Sequence, residues 1–400
     1  MSPVTTELVP NGVKFLNELT QFAQKHGLEL LGTAPIREDE LGWLRPHSER
    51  LHTWINEKRH GEMGYMEARL EARCAPHQLL PNAHTALVFW AGHHFPTPPA
   101  PTHPTARVAR YAWGRDYHNV LRKSVSKVHR WIRQQFDAYQ SYTSIDTGAI
   151  LERAFAERAG IGWIGRSTML INQDKGTFGS LAVIFTNLNL PTEETAHPFR
   201  CGTCQDCVIK CPTQALSPDG LDARLCISYW TIEHRGMIPL EMRTKIDDWL
   251  FGCDICQDVC PWNRKAENAD DARWQPKNEH ATPDLRQWLT LSHEALDEHL
   301  RGSPLRRAKP VGLKRNICIV AANLQLTSLL PDIEIAMLND PSDIVRATAL
   351  WAATKLGSKT ALDATANDPS PTVIAERRSL LDSQPLPAQE KSVNQDVNGG

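Results

Sequence analysis

The feature that most constrains this chain is the run Cys201, Cys204, Cys207, Cys211 and Pro212, spaced C-x2-C-x2-C-x3-C-P. In bacterial ferredoxins such a run feeds two [4Fe–4S] clusters, its fourth cysteine ligating the other cluster. Closely spaced turns also point backbone N–H groups at the cluster sulfurs, which lowers their negative charge. A second run, Cys253, Cys256, Cys260 and Pro261, repeats the pattern but has Leu250 where its first cysteine would stand. Cys226 lies between the runs and supplies the missing ligand, so eight thiolates divide into two fours. The crossing rule then assigns Cys201, Cys204, Cys207 and Cys260 to one cluster, and Cys211, Cys226, Cys253 and Cys256 to the other. Two tetrahedral zinc sites, or disulfides in an exported chain, are the competing readings. Cys74 and Cys318 stand alone in apolar or helical contexts and read as small buried hydrophobes.

Compartment bears on that choice. No apolar run reaches the length of about 18 residues that a membrane span needs. Met1 to Pro10 shows neither a basic region leading into an apolar stretch nor paired arginines, so the expected location is the cytoplasm, where clustered cysteines are metal ligands more often than disulfides. With 400 residues, 41% of them hydrophobic, the chain can bury at least one full core and is long enough for two or three domains. The net charge of −2 gives no global attraction to nucleic acid, so a polyanion would need a local basic patch. Arg301, Arg306, Arg307, Lys309, Lys314 and Arg315 form such a patch, with no acid between Arg301 and Asn316.

Along the chain, apolar residues recur at helical spacing from Val13 to Leu31, with Gly27 as a stop. Ala86–Trp90 and Leu181–Thr186 read as strands, and Tyr117–Phe136 and Ile150–Ala159 as helices. This alternation predicts an α/β or α+β domain over residues 1–195. The proline-rich segment 96–104 reads as a surface loop. Residues 196–265, crowded with cysteine and poor in hydrophobic periodicity, form a module held by metal. Helical patterning then covers 266–382, where Asn339-Asp340-Pro341-Ser342 recurs as Asn367-Asp368-Pro369-Ser370, as in a short HEAT-like repeat. Residues 383–400 read as a disordered tail.

The eight cysteines, together with Asp146-Thr147 leading into Glu152-Arg153, then Ala159-Gly160-Ile161-Gly162-Trp163-Ile164-Gly165, and with Trp113-Gly114-Arg115-Asp116-Tyr117-His118, resemble the epoxyqueuosine reductases. The resemblance runs from about Arg73 into the helical C-terminal region. It implies a multidomain α/β (α+β) cobalamin-binding domain, a ferredoxin-like two-cluster module and a tRNA-binding helical region. The implied reaction removes the epoxide oxygen of epoxyqueuosine at the wobble position of tRNA, with electrons passing from an external donor through the clusters to cobalamin. The partner is then a tRNA anticodon stem-loop, and the protein a monomer. The resemblance makes Asp146 the candidate proton donor, its carboxyl expected to have a raised pKa; read by itself, an Asp at this place is a helix cap. It also puts Arg73, Asp146, Leu170, Leu181, Ser228 and Asp254 around the corrin, and tRNA phosphates on the six cations. Gly148-Ala149 departs from the proline common at this stretch in the family. The alternatives are a reductive dehalogenase-like cobalamin enzyme for a small molecule, an iron–sulfur electron carrier, or a zinc-bearing RNA-binding protein.

Overall fold

The computed structural model describes residues 7–9, 11–192, 196–269 and 274–383. The sequence-based expectation of a disordered tail falls, from residue 384 on, outside the described residues. The organising element is a four-stranded antiparallel sheet, β1 (Leu30–Pro35), β2 (Thr85–Gly92), β3 (Ser141–Ser144) and β4 (Gly179–Thr186), in the order β1-β2-β4-β3. All eight residues of β2 are buried. Because side chains alternate across a strand, Leu87, Phe89 and Ala91 enter one apolar cluster while Ala86, Val88 and Trp90 enter another. A strand covered on both faces has no polar alternation, which is why its sequence reads as a continuous apolar run.

Helices α1 (Gly12–Gln24) and α3 (Tyr117–Arg133) cover the first face. Phe15, Leu19 and Ala23 of α1 and Val120, Leu121, Val125, Val128 and Ile132 of α3 are buried at helical spacing, and Trp131 stacks on Phe15 and Phe22 at 5.4 Å. On the second face lies α4 (Glu152–Arg158), through Ala154, Phe155 and Ala156, with α2 (Arg45–Asn56) beyond it. The opening helix therefore ends before Leu31. Gly27, at φ +72°, lets the chain turn, and Leu30–Pro35 becomes the edge strand β1, its apolar residues serving a sheet. Segment 96–104 contains no helix or strand.

The C-terminal region is helical: α5 (Lys309–Asn323), α6 (Leu330–Asn339), α7 (Asp343–Lys355) and α8 (Pro371–Asp382) pack together, and Cys318 is fully buried among them. Each Asn-Asp-Pro-Ser tetrapeptide starts a helix. Asp340 accepts from the Ser342 N–H ahead of α7, and Asp368 from the Ser370 N–H ahead of α8. Strand Trp249–Phe251 pairs in parallel with Arg107–Val108, which ties the cysteine-rich segment to the sandwich.

Candidate active site

A cleft of about 2760 Å³ runs past the sheet, and the loop after β3 carries Asp146 into it. Asp146 has φ +63°, a left-handed backbone rarely adopted by residues with a side chain. The Tyr117 hydroxyl donates to its Oδ2 at 2.5 Å, and His118 Nε2 stands 3.4 Å from the same oxygen. His118 is oriented from behind, its Nδ1 2.8 Å from Asp116 Oδ1, and Tyr117 stacks on its ring at 4.0 Å. Asp116 is the N-cap of α3, so the helix start that the sheet buries also delivers Tyr117 and His118 to the cleft.

The charges of this trio are coupled. At Asp146, partial enclosure opposes ionisation, but the approach of His118 Nε2, the Tyr117 hydrogen bond and the positive charges of His118 and Arg307 outweigh it, holding the carboxyl below its usual range. In the protein by itself the Asp146 side chain is 62% exposed to the cleft and faces Tyr117 and His118; the rise expected of it is the one that burial beside a corrin and substrate would impose. The raised groups are its neighbours. Burial works against a charged His118, yet hydrogen bonds and charge from Asp116 and Asp146 push it up to about 9. Burial and the Asp146 charge raise Glu152 to about 7. At neutral pH the proton therefore sits on His118, next to an ionised Asp146.

Arg73, Leu181 and Ser228 also line the cleft. Arg73 donates to the Gly148 and Tyr65 carbonyls, and its buried Nε has no protein partner. His93 likewise reaches the wall with Nδ1 unpartnered. Unsatisfied buried donors on the wall of a large cleft suit a polar-edged ligand such as a corrin. The side chains of Leu170 and Asp254 are set back from this wall. Leu170 packs in the second apolar cluster, and Asp254 is buried behind the wall, accepting from the Arg110 N–H and from Gln257. Neither side chain is among those lining the cleft.

No disulfide joins any of the ten cysteines. Cys201, Cys204 and Cys260 are the thiols that act on Cys207, whereas Cys211 and Cys226 act on Cys253. Cys256 faces Cys226 and Cys253 and also senses Cys207, so the two groups adjoin. Without metal, burial and neighbouring thiols push Cys207 up to about 11 and Cys256 well above its usual value, so metal binding must displace protons from them. Trp163 of the Gly162-Trp163-Ile164-Gly165 motif donates to Cys201 Sγ at 3.4 Å. Ser228 connects the module to the cleft, since it lines the wall two residues from Cys226, whose thiol it helps to ionise against the effect of burial.

The cationic run divides. Arg301, Arg306, Arg307 and Lys309 line the cleft, the three arginines paired with Glu298, Asp297 and Glu233. Lys314 and Arg315 are corrected from the phosphate-binding set, because both are buried within α5. Lys314 pairs with Asp340 at 3.1 Å, and Arg315 donates to the carbonyls of Trp230, His234 and Gly236.

Known proteins match this arrangement. The family model described as "Epoxyqueuosine reductase QueG, DUF1730" covers residues 73–147, ending one residue past Asp146. The epoxyqueuosine reductase of Pseudomonas aeruginosa is 33% identical over 87% of this chain and 96% of its own. The chain belongs to the epoxyqueuosine reductase family. A solved epoxyqueuosine reductase in complex with an epoxyqueuosine-modified tRNA-Tyr stem loop is 28% identical, with a TM-score of 0.85 over 93% of this chain and 99% of that one. That of Bacillus subtilis, solved with its catalytic aspartate loop swung out of the active site, is 27% identical, with a TM-score of 0.84 over 93% and 99%. A model described as "4Fe-4S double cluster binding domain" covers residues 200–263 and so includes all eight clustered cysteines. Beyond the sequence-derived set, Tyr117, His118 and Glu152 also line this cleft and surround Asp146. Asp-Tyr-His and Glu-Arg were visible as motifs, but only the fold shows that they converge on Asp146.

Proposed function

We propose that this chain reduces epoxyqueuosine to queuosine at the wobble position of tRNA, with Asp146 managing the proton and the eight cysteines delivering the electrons. The observation that carries this reading is the meeting of two chemistries in one cleft. Asp146, Tyr117 and His118 stand in its wall, and so does Ser228, two residues along the chain from Cys226. Converting an epoxide to an alkene consumes two electrons and two protons and releases water. Cobalamin, held by Arg73, Leu181 and Ser228, would supply the cobalt centre at which those electrons reach the substrate. His118 holds a proton at neutral pH and can pass it through Asp146 Oδ2 to the departing oxygen, and the Tyr117 hydroxyl fixes that carboxylate in line.

The two ligand sets are Cys201, Cys204, Cys207 and Cys260, and Cys211, Cys226, Cys253 and Cys256, supported by the grouping of thiols around Cys207 and around Cys253. Arg301, Arg306, Arg307 and Lys309 at the cleft take phosphates of the anticodon stem-loop, which orients the tRNA while the modified base enters the cleft. The domains follow as 1–195 for cobalamin and catalysis, 196–265 for the clusters, and 266–382 for a HEAT-like tRNA-binding region. The protein works as a cytoplasmic monomer with an external electron donor; no helix among the described residues is long and apolar enough to cross a membrane.

The test is metal and corrin content together with turnover of an epoxyqueuosine-modified stem-loop. About eight irons per chain, bound cobalamin and formation of queuosine are expected. Zinc alone, or iron without cobalamin affinity, would overturn the reading in favour of an RNA-binding protein or an electron carrier.

A further inference from the structure

The loop that presents Asp146 is held on both sides. On the inner side, Glu152 Oε1 accepts from the Ser144 hydroxyl at 2.5 Å and from the Asp146 N–H at 2.8 Å. The Ser144 oxygen in turn accepts from the Gly148 N–H at 3.1 Å, and the Thr147 N–H closes a tight turn onto the Ile145 carbonyl at 2.7 Å. On the outer side, Arg73 Nη1 donates to the Gly148 carbonyl at 3.1 Å. A Cβ on Gly148 would come within 2.4 Å of Ser144 Oγ and 2.6 Å of its Cβ, so the loop folds onto Ser144 as closely as it does only with glycine there.

Glu152 opens α4, where an acid is favourable for the helix dipole alone. A dipole partner needs no burial and no further donors, however. Glu152 has two such donors, and its acceptor oxygen satisfies the backbone N–H of the one residue in this loop with a left-handed conformation. That conformation is unfavourable for an aspartate unless its surroundings impose it.

We propose that Glu152 is a positioning residue whose carboxylate, shared between the Asp146 N–H and the Ser144 hydroxyl, holds Asp146 in its left-handed conformation and thereby aims the Asp146 carboxylate at Tyr117 and His118. The consequence for catalysis rests on the role proposed for Asp146; the positioning itself does not. Glu152→Ala removes both hydrogen bonds, Glu152→Gln keeps an acceptor oxygen for them, and Ser144→Ala removes one arm and the contact to Gly148.

Three measurements separate the possibilities. Peptide-level hydrogen exchange over residues 145–149, on the protein before cobalamin is added, should rise in Glu152→Ala and Ser144→Ala and stay near wild type in Glu152→Gln. In the loaded enzyme, kcat should fall on the order of 100-fold in Glu152→Ala, as displacement of a reacting group does. Affinity for the tRNA stem-loop should stay within about twofold, and Glu152→Gln should recover most of kcat. Unchanged exchange in Glu152→Ala and Ser144→Ala, or a Glu152→Gln protein as impaired as Glu152→Ala, overturns the proposal. If exchange rises as expected while Asp146→Asn turns over at the wild-type rate, the positioning role stands and the catalytic role of Asp146 falls.

Discussion

The sheet sandwich and the cysteine module become ordered by different means. In the sandwich, β2 and β4 are packed between two apolar clusters, and the Asp146 loop hangs from the end of the neighbouring strand β3. Between Cys201 and Ser217 only Thr213, Ala215 and Leu216 are buried, too little apolar surface to fix seventeen residues against their conformational entropy. Thiolate–metal bonds have to provide that order. The proton-handling half of the site is therefore built by packing, and the electron-handling half by its own cofactors.

The sharpest way to break this contrast is to remove the clusters. Chelation under oxidising conditions, or Cys256→Ser, should abolish turnover and expose residues 201–217 to protease, while the sandwich stays folded and the exchange protection of 145–149 is kept. Unfolding of both regions together would show that they are not independent. Asp146→Asn reaches the other half. It should lower kcat about 10²- to 10⁴-fold with iron and cobalt content unchanged, and retained activity would remove Asp146 from the reaction.

Arg315 tests the packing of the helical region. Burial and the nearby charges of Arg235 and Arg243 lower its pKa to about 9, yet it satisfies three carbonyls. Arg315→Ala should cost about 3 kcal/mol in chemical denaturation and leave the salt dependence of tRNA binding unaltered. A flatter salt dependence would return Arg315 to the phosphate-binding set. Lys309→Ala makes the reciprocal case: stability should hold, affinity should fall severalfold, and the slope of log affinity against log salt should shrink by about 1.

The smallest effect expected is on pH. His118 is raised to about 9 in the folded chain, so its stabilising contribution is complete below the unfolded value near 6.5 and is lost as pH rises through about 9. Glu152, raised to about 7, acts in the same direction: its contribution is complete below about 4.5 and lost as pH rises through about 7. Turnover should show a falling limb near pH 9 that His118→Gln removes. A limb that persists in that variant belongs to another group.

The sequence by itself determined the two-cluster module, because metal-ligand spacing is local and a run of four cysteines ending in Cys-Pro has few other uses. It also determined the central strands and the helices over Tyr117 and Glu152, whose periodicity reports burial directly. Leu30 and Leu31 fall within the helical spacing that starts at Val13, because a short apolar run shows no period of its own, and only pairing with β2 makes Leu30–Pro35 a strand. Tertiary structure alone decided which of six neighbouring cations reach the cleft. Positions 306 and 315 look alike in a list of charges, but α5 turns Arg315 inward onto carbonyls and leaves Arg306 beside Asp297. It likewise decided the ionisation of Asp146. That charge depends on Tyr117 and His118, and the backbone of Asp146 on Glu152; the three come from two other elements of the fold and meet Asp146 only because β3, α3 and α4 pack on one sheet.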